Sequence, residues 1–184
     1  MPSYMYHDST RNAPLCLFAA SLPRLEWANG QYLHGTLGNF GPQTWTPISS
    51  VPIVLAQPDT GVAVPGMSST AYTGKVVLVK RGGVAYTAKV KNAQDHGAAA
   101  VVVYNNVAGD VTMGGSGDAA VDASITIPSM LITKSRGETL RALTNGTVNV
   151  TMKLGGSLHA RTPFAQSQNR TNNRAHAQVP CMCE

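Results

Sequence analysis

Residues 75–104, KVVLVKRGGVAYTAKVKNAQDHGAAAVVVY, change their hydrophobic period twice. The first part, residues 75–79, is mostly apolar and β-branched, which indicates a buried strand. From Tyr86 the apolar residues recur at helical spacing as far as Gly97, which is expected to end the helix. The run over 98–104 is uncharged and β-branched again, as in a strand buried on both faces. Strand, helix and strand in about 30 residues predict two parallel strands joined by a right-handed crossover.

The segments before this stretch carry strand and turn signals. Residues 25–28 and 31–34 flank Asn29-Gly30, the pair that best supplies the positive φ angles of a two-residue hairpin turn. Residues 51–55 have the character of a short buried strand, and a Pro/Gly-rich loop follows over 57–66. We therefore predict a hairpin and one further strand upstream of the crossover.

The segments after it predict two more strands and a short helix. Residues 125–132 have strand character around Pro128, which suggests an edge or a bend because proline cannot donate a ladder hydrogen bond. Residues 135–138, SRGE, have the form of a capping box for a helix that stops at Asn145-Gly146. Residues 147–154 alternate strictly, which predicts a strand with one wet face. Its core face would hold Val148, Val150, Met152 and Leu154.

The composition favours a globular, loop-rich protein. Apolar residues make up 43% of the 184 residues, and 18 Gly with 11 Pro supply many turns. The net charge of +5 arises from 14 basic and 9 acidic residues, which is too sparse for a nucleic-acid-binding surface. The sequence contains no uninterrupted apolar run of the roughly 18 residues that a membrane span needs. We expect neither nucleic acid nor a membrane as a partner.

The start of the chain bears on localisation. Residues 1–13 are polar, and the apolar run over 14–22 is broken by Ser21 and followed by Pro23. A secretory leader has a basic start and a longer apolar middle. This pattern predicts a cytoplasmic protein.

Several literal runs resemble those of the protease-associated (PA) domain family. They are the runs over 40–42, 74–83, 89–105, 127–132 and 137–140. The resemblance covers about residues 35–154. It implies an α+β fold, a β-rich open barrel or sandwich with two or three short flanking helices. It also implies a role in controlling substrate access, binding peptides or sorting cargo, with no catalytic residues and no cofactor.

The resemblance divides the chain into three parts. Residues 1–34 would form an N-terminal arm and hairpin, residues 35–154 the PA-like domain, and residues 155–184 an extended C-terminal tail. The tail is polar and aperiodic, so we expect no core there.

The chain departs from the family pattern at two positions. Family members in oxidising compartments often carry a cysteine after the Arg-Gly-Gly run and a partner in the preceding loop. This chain has Val84 and Val62 there. Because disulfides persist in oxidising compartments and are rare in the cytosol, the two valines favour an intracellular protein.

The Gly/Asp-rich loop over 105–122 is the candidate interaction surface. It holds Asp110, Asp118 and Asp122, which together with loop carbonyls offer ligands for Ca²⁺, although a solvated turn explains them better. Residues 114–118, GGSGD, lack the final glycine of a nucleophile elbow. We expect no metal and no catalytic site.

The tail is the second candidate interaction surface. Its basic residues would help to hold an acidic partner, and they are Arg161, Arg170 and Arg174. A zinc site is an alternative to solvated thiols, and its ligands would be His176, Cys181 and Cys183, with Cys16.

Two functions remain open. The first is a non-catalytic structural subunit of a large intracellular assembly, cytoskeletal or ciliary, whose arms bind neighbouring chains or an acidic filament surface such as tubulin. The alternative is a luminal or secreted PA protein that binds peptides or cargo, or that accompanies a protease. Three N-glycosylation triplets support the alternative, and they begin at Asn145, Asn149 and Asn169.

Overall fold

The computed structural model describes residues 22–109 and 111–155. Within these residues the chain forms eight strands and three α-helices. The strands are β1 (Pro23–Glu26), β2 (Tyr32–His34), β3 (Thr36–Leu37), β4 (Ile48–Leu55), β5 (Val76–Lys80), β6 (Ala100–Tyr104), β7 (Ser129–Ile132) and β8 (Asn149–Leu154). The helices are α1 (Tyr86–Asp95), α2 (Ala119–Ala123) and α3 (Lys134–Leu143). The predicted N-terminal arm before residue 22 and the tail after residue 155 lie outside the described residues.

The predicted crossover is confirmed. β5 and β6 are parallel, with Val76 opposite Ala100 and Lys80 opposite Tyr104, and α1 connects them. Gly97 has a φ of +85° just beyond the helix, as predicted for its end. β4 and β7 extend the parallel region on either side. β1, β2, β3 and β8 join the sheet antiparallel.

The sheet curls until its two edges meet at Gly35. The strand order is β2-β1-β8-β4-β5-β6-β7-β3, so β2 and β3 form opposite edges although only Gly35 separates them in the chain. The Gly35 amide donates to the Pro23 carbonyl at 3.0 Å, on the β1 side. A Cβ at position 35 would lie 2.5 Å from the Leu131 carbonyl oxygen, on the β7 side. Glycine fits here without displacing the Leu131 backbone, and the sheet curls as expected for the predicted open barrel.

Two hydrophobic clusters occupy the two faces of the sheet. Alternation along β5 and β6 sends successive side chains to opposite faces, so both strands are buried on both sides, as predicted. The inner cluster draws on every strand except β3, as expected inside a barrel, and it includes Leu25, Leu33, Ile53, Leu78, Val102, Met130, Val150 and Met152. The outer cluster packs under α1 and the loops, and it includes Phe40, Tyr72, Val90, Met113 and Ile125.

The hairpin strands are confirmed, but the two-residue turn is wrong. Glu26 pairs with Tyr32, so five residues form the loop, and residues 28–30 make one 3-10 turn. The Trp27 amide donates to the Gln31 carbonyl at 3.0 Å and closes this wider loop. β1 also pairs with β8, so the hairpin is part of the same sheet as the rest of the fold.

The strand around Pro128 begins later than its pattern suggests. β7 starts at Ser129 and lies between β6 and β3, so Pro128 precedes the strand and marks neither an edge nor a bend within it. Its carbonyl still accepts a hydrogen bond from the Val101 amide at 3.0 Å. The core face predicted for β8 is confirmed at Val150 and Met152, which are buried, whereas Leu154 is half-buried.

The capping box is also wrong. Thr133 is the N-cap of α3 and makes no side-chain capping bond, and Ser135 lies inside the helix. Gly137 serves a different purpose, because a Cβ there would overlap the Tyr104 side chain. The helix therefore approaches β6 closely, and Leu140 enters the inner cluster. The structure adds a short helix that the sequence did not predict, α2, with Asp118 as its N-cap.

The predicted fold class is confirmed. The domain is α+β, with a mixed eight-stranded sheet and three short helices in the described residues. None of the helices in residues 22–109 and 111–155 is long and apolar enough to cross a membrane.

Candidate functional site

The carboxyl ends of β5, β6 and β7 meet at one edge of the sheet. The loops that leave these parallel strands diverge there, which leaves room for a ligand between them. Three clefts in the described part of the chain lie along it. Each includes residues that directly follow one of these strands, and those residues are Arg81, Asn105 and Thr133.

Arg81 is the charged residue at the centre of this edge. Its Nη1 atom donates to the Oδ1 atom of Asn105 at 3.0 Å, and its amide donates to the Tyr104 carbonyl at 2.9 Å. Asn105 is only 1% exposed, and its Nδ2 atom donates to the Gly109 carbonyl at 3.0 Å. A buried amide with bonds on both sides holds one orientation, so Asn105 fixes the direction in which Arg81 points.

The Arg81 cleft, as we name it, has a volume of about 460 Å³. It is lined by Arg81, Gly82, Val84, Ala85, Tyr86, Asn106 and Val107. Val84 is 40% exposed and Val107 is 49% exposed, so the cleft combines a cation with apolar side chains open to solvent. Tyr86 adds a buried hydroxyl for which residues 22–109 and 111–155 provide no hydrogen-bond partner. Such a mixture suits a polypeptide segment better than a purely polar or purely apolar ligand.

The first turn of α1 faces the same cleft. Its N-cap, Ala85, has no side chain able to accept a hydrogen bond, and no acidic residue lies in the first turn. The first intrahelical bond runs from the Lys89 amide to the Ala85 carbonyl at 3.1 Å. The preceding backbone amides are therefore unpaired within the helix, and they add partial positive charge beside Arg81.

Lys89 is buried next to the cleft and connects two of the segments around it. It is 1% exposed, and its Nζ atom donates to the carbonyls of Thr60 and Gly82. Asn92, one turn later, donates to the Gly61 carbonyl at 3.3 Å. Burial lowers the pKa of Lys89, and the charge of Asp59 opposes this shift. Helix α1 thus ties the loop at residues 59–61 to the turn that carries Arg81.

Val62 lies against the same turn. A Cβ built on Gly83 would be 3.2 Å from the Cγ2 atom of Val62. Position 62 is therefore adjacent to the turn that ends at Val84, where the resemblance places a disulfide in other family members. The bonds from Lys89 to the Thr60 and Gly82 carbonyls connect the two loops in this chain.

The predicted aspartates have structural partners within their own loop. Asp118 accepts from the Ala120 amide at 2.8 Å and caps α2. Asp122 accepts from the Ser116 amide at 2.8 Å and from the Ser116 hydroxyl at 2.7 Å. Neither residue lines the three clefts. The remaining predicted site residues lie outside the described residues, and these are Asp110, Arg161, Arg170 and Arg174, together with the alternative zinc ligands Cys16, His176, Cys181 and Cys183.

Sequence analysis singled out the loop that begins at Asn105 but missed Arg81. A usable signal was present, because Arg81 and Asn105 each directly follow a buried parallel strand. Parallel strands bring their carboxyl ends to one edge, so two polar residues in these positions were bound to be neighbours.

The fold and the cleft define a β-rich α+β domain with an accessible cleft at the carboxyl ends of its parallel strands. The chain belongs to the PA domain family, whose model matches residues 49–140. Of the two functions left open, the family match supports the PA-domain interaction module that they have in common.

Relatives of the chain include proteases and aminopeptidases. It is 37% identical over 83 residues to the minor extracellular protease Vpr of Bacillus subtilis strain 168, a match that covers 45% of this chain and 9% of that protein. It resembles the aminopeptidase from Aneurinibacillus sp. strain AM-1 with a TM-score of 0.55 at 25% identity, over 74% of this chain and 31% of that one. A zinc aminopeptidase from Bacillus subtilis gives a TM-score of 0.50 at 26% identity, over 72% of this chain and 31% of that one. The chain thus spans less than a third of the length of each of these relatives.

Proposed function

We propose that this chain is a non-catalytic protein-binding module that holds a polypeptide segment at the Arg81 cleft, as an accessory to a protease or peptidase. The observation that carries the proposal is the cleft itself. It offers a cation oriented by Asn105 and exposed valine side chains at the carboxyl ends of buried parallel strands. Rigid support with adaptable contacts is what binding a peptide requires.

The comparisons support the accessory role. The relatives named above are hydrolases in which the matched region is a minor part of the chain. A module that binds polypeptide beside a separate catalytic domain would control which substrates reach it. This is the luminal or secreted alternative of the sequence analysis.

Selection from a displayed library of random heptapeptides on the immobilised full chain tests the proposal. We expect enriched peptides that bind the wild type and bind Val107→Asp at least about tenfold more weakly, because the substitution places a charge on the apolar side of the cleft. Val121→Asp is the matched control, since Val121 is 40% exposed on α2 and lies outside the three clefts. Equal binding to both variants, or cleavage of the selected peptides by the purified chain, would contradict the proposal.

A second candidate is the structural subunit of an intracellular assembly, cytoskeletal or ciliary, with other subunits or an acidic filament surface such as tubulin as its partner. The apolar replacement at Val62 and Val84 favours it, because a fold that needs no disulfide works among reduced thiols. The basic tail, with Arg161, Arg170 and Arg174, would supply the contacts.

Glycan analysis separates the two candidates. Asn145 lies exposed in the turn after α3, in an acceptor triplet with Thr147. If the chain isolated from its native cells loses mass on treatment with an N-glycosidase, it has passed through the secretory pathway, and the intracellular candidate is excluded. An unmodified chain that cosediments with cytoskeletal filaments would instead favour the assembly.

A further inference from the structure

We propose that the group anchored in the Arg81 cleft is a carboxylate, either a peptide α-carboxylate or an acidic side chain. This inference rests on the proposed function and names the chemistry of its ligand. It follows from the contacts that the Arg81 side chain makes, and from the ion pair that it lacks, in the described part of the chain.

Arg81 has no acidic partner, in contrast to the four basic side chains that form ion pairs in the described residues. Arg24 and Lys153 both pair with Glu26, Lys91 pairs with Asp95, and Arg141 pairs with Glu138. Arg81, by contrast, is half-buried and forms an ion pair with none of the carboxylates in residues 22–109 and 111–155. Its one side-chain hydrogen bond goes to a neutral amide, Asn105. A partly desolvated cation aimed at a cleft without a counter-ion favours an anionic ligand.

The geometry of Arg81 suits a carboxylate in particular. Asn105 accepts from Nη1 only, so the other N–H groups of the planar guanidinium form a fork without a partner among the described residues. A fork of this kind donates two parallel hydrogen bonds to the two oxygens of a carboxylate.

The surroundings add to the same preference. None of the residues that line the cleft is acidic, and the uncapped first turn of α1 contributes its amides. The exposed side chains of Val84 and Val107 would contact an apolar group next to the carboxylate. The ligand would therefore carry its negative charge beside a hydrophobic side chain.

Three small probes test the inference on the ¹⁵N-labelled full chain. N-acetylvaline carries an α-carboxylate next to an apolar side chain, and N-acetylvalinamide is its neutral isostere. N-acetylglutamate N-methylamide carries only a side-chain carboxylate. Titration of each, followed by the amide resonances of Gly82, Ala85, Asn106 and Val107, measures affinity at the cleft directly.

We expect saturable shifts with at least one carboxylate probe and at least about tenfold weaker binding of the amide, since charge-assisted hydrogen bonds are about twice as strong as neutral ones. Arg81→Gln should weaken the carboxylate probe about tenfold or more. Arg136→Gln, which removes the same charge from a residue that bonds the His34 carbonyl at 2.9 Å, should leave binding within about twofold of the wild type. N-acetylvaline and N-acetylglutamate N-methylamide distinguish the two sources of the carboxylate.

The inference would be overturned if the neutral amide bound as tightly as the better carboxylate probe, if neither carboxylate probe bound, or if the two arginine variants lost affinity equally. None of these results touches the proposed function, which the displayed peptides and the Val107→Asp variant decide separately. Conversely, carboxylate binding without any selected peptide would support the anion site and remove its role in protein recognition.

Discussion

At the scale of single residues, Lys89 shows how a buried charge can organise a binding loop. Its ammonium group donates to the carbonyls of Thr60 and Gly82, which belong to two segments distant in sequence. Both acceptors are neutral, so Coulomb attraction to a directly bonded carboxylate does not offset desolvation. The hydrogen bonds and the charge of nearby Asp59 oppose this cost, and the hydrogen bonds hold the turn that carries Arg81.

Replacement of this lysine tests its contribution. Lys89→Met keeps an apolar stem of similar length but leaves two carbonyls without their donor, so we expect the free energy of unfolding to fall by about 1–3 kcal/mol. Urea unfolding of the full chain, followed by circular dichroism, measures the change. Lys91→Met is the matched control in the same helix. Lys91 is half-buried and pairs with Asp95, which is exposed, so its loss should cost less than about 0.5 kcal/mol.

The pH dependence of the same pair of proteins gives a second, independent signature. Burial lowers the pKa of Lys89 below its ordinary value of 10.5. At pH values between the lowered pKa of the folded state and 10.5, the unfolded chain binds more protons than the folded chain. The stability of the wild type therefore rises with pH in that window. The neutral amine still donates to both carbonyls. The wild type should therefore gain stability relative to Lys89→Met as pH rises towards 10.5, and a constant difference would show that Lys89 carries no such shift.

At the scale of secondary structure, the local sequence pattern was sufficient to predict the type and order of the central elements. The continuous apolar runs of β5 and β6 show that these strands are buried on both faces. The apolar stripe of α1 shows which side of the helix is buried, and Gly97 marks where the helix ends. The prediction errors arose where the role of a residue is set by a contact with a residue distant in sequence. Gly137 seemed part of a capping box, but its role depends on Tyr104, and Arg81 depends on Asn105, 24 residues away.

The close approach of α3 to β6 is the contact that local pattern could not reveal. Gly137→Ala would ordinarily favour a helix by up to about 1 kcal/mol. Here the added Cβ overlaps Tyr104, so we expect a net loss of about 1–3 kcal/mol in unfolding free energy. Thr139→Ala, at an exposed site of the same helix, is the control and should change stability by less than about 0.5 kcal/mol. If Gly137→Ala stabilised the protein, the close packing of α3 on the barrel would be wrong.

At the scale of the whole molecule, the curled sheet joins all eight strands of the described residues into one support for the cleft. The edge strands β2 and β3 are continuous through Gly35, so the barrel has a single seam in the described residues. The carboxyl ends of β5, β6 and β7, where the clefts lie, are held in place by this sheet, because β7 pairs with β3 on one side and with β6 on the other. The resemblance in sequence predicted the barrel, but the position of the seam depends on long-range pairing that no local pattern specifies.

A substitution at Gly35 should therefore change stability and hydrogen exchange at positions far from residue 35. Gly35→Ala places a methyl group 2.5 Å from the Leu131 carbonyl, and because this neighbour is backbone, β3 must move away from β7. We expect a loss of about 1–3 kcal/mol and faster amide hydrogen exchange in β3 and β7, with weaker peptide binding at the adjoining edge. Gly114→Ala is the control, since its added Cβ meets nothing within 4 Å. Faster exchange confined to residue 35 itself would mean that the barrel does not depend on the seam. Faster exchange through β7 together with reduced binding would show that closure of the sheet holds the binding edge in shape.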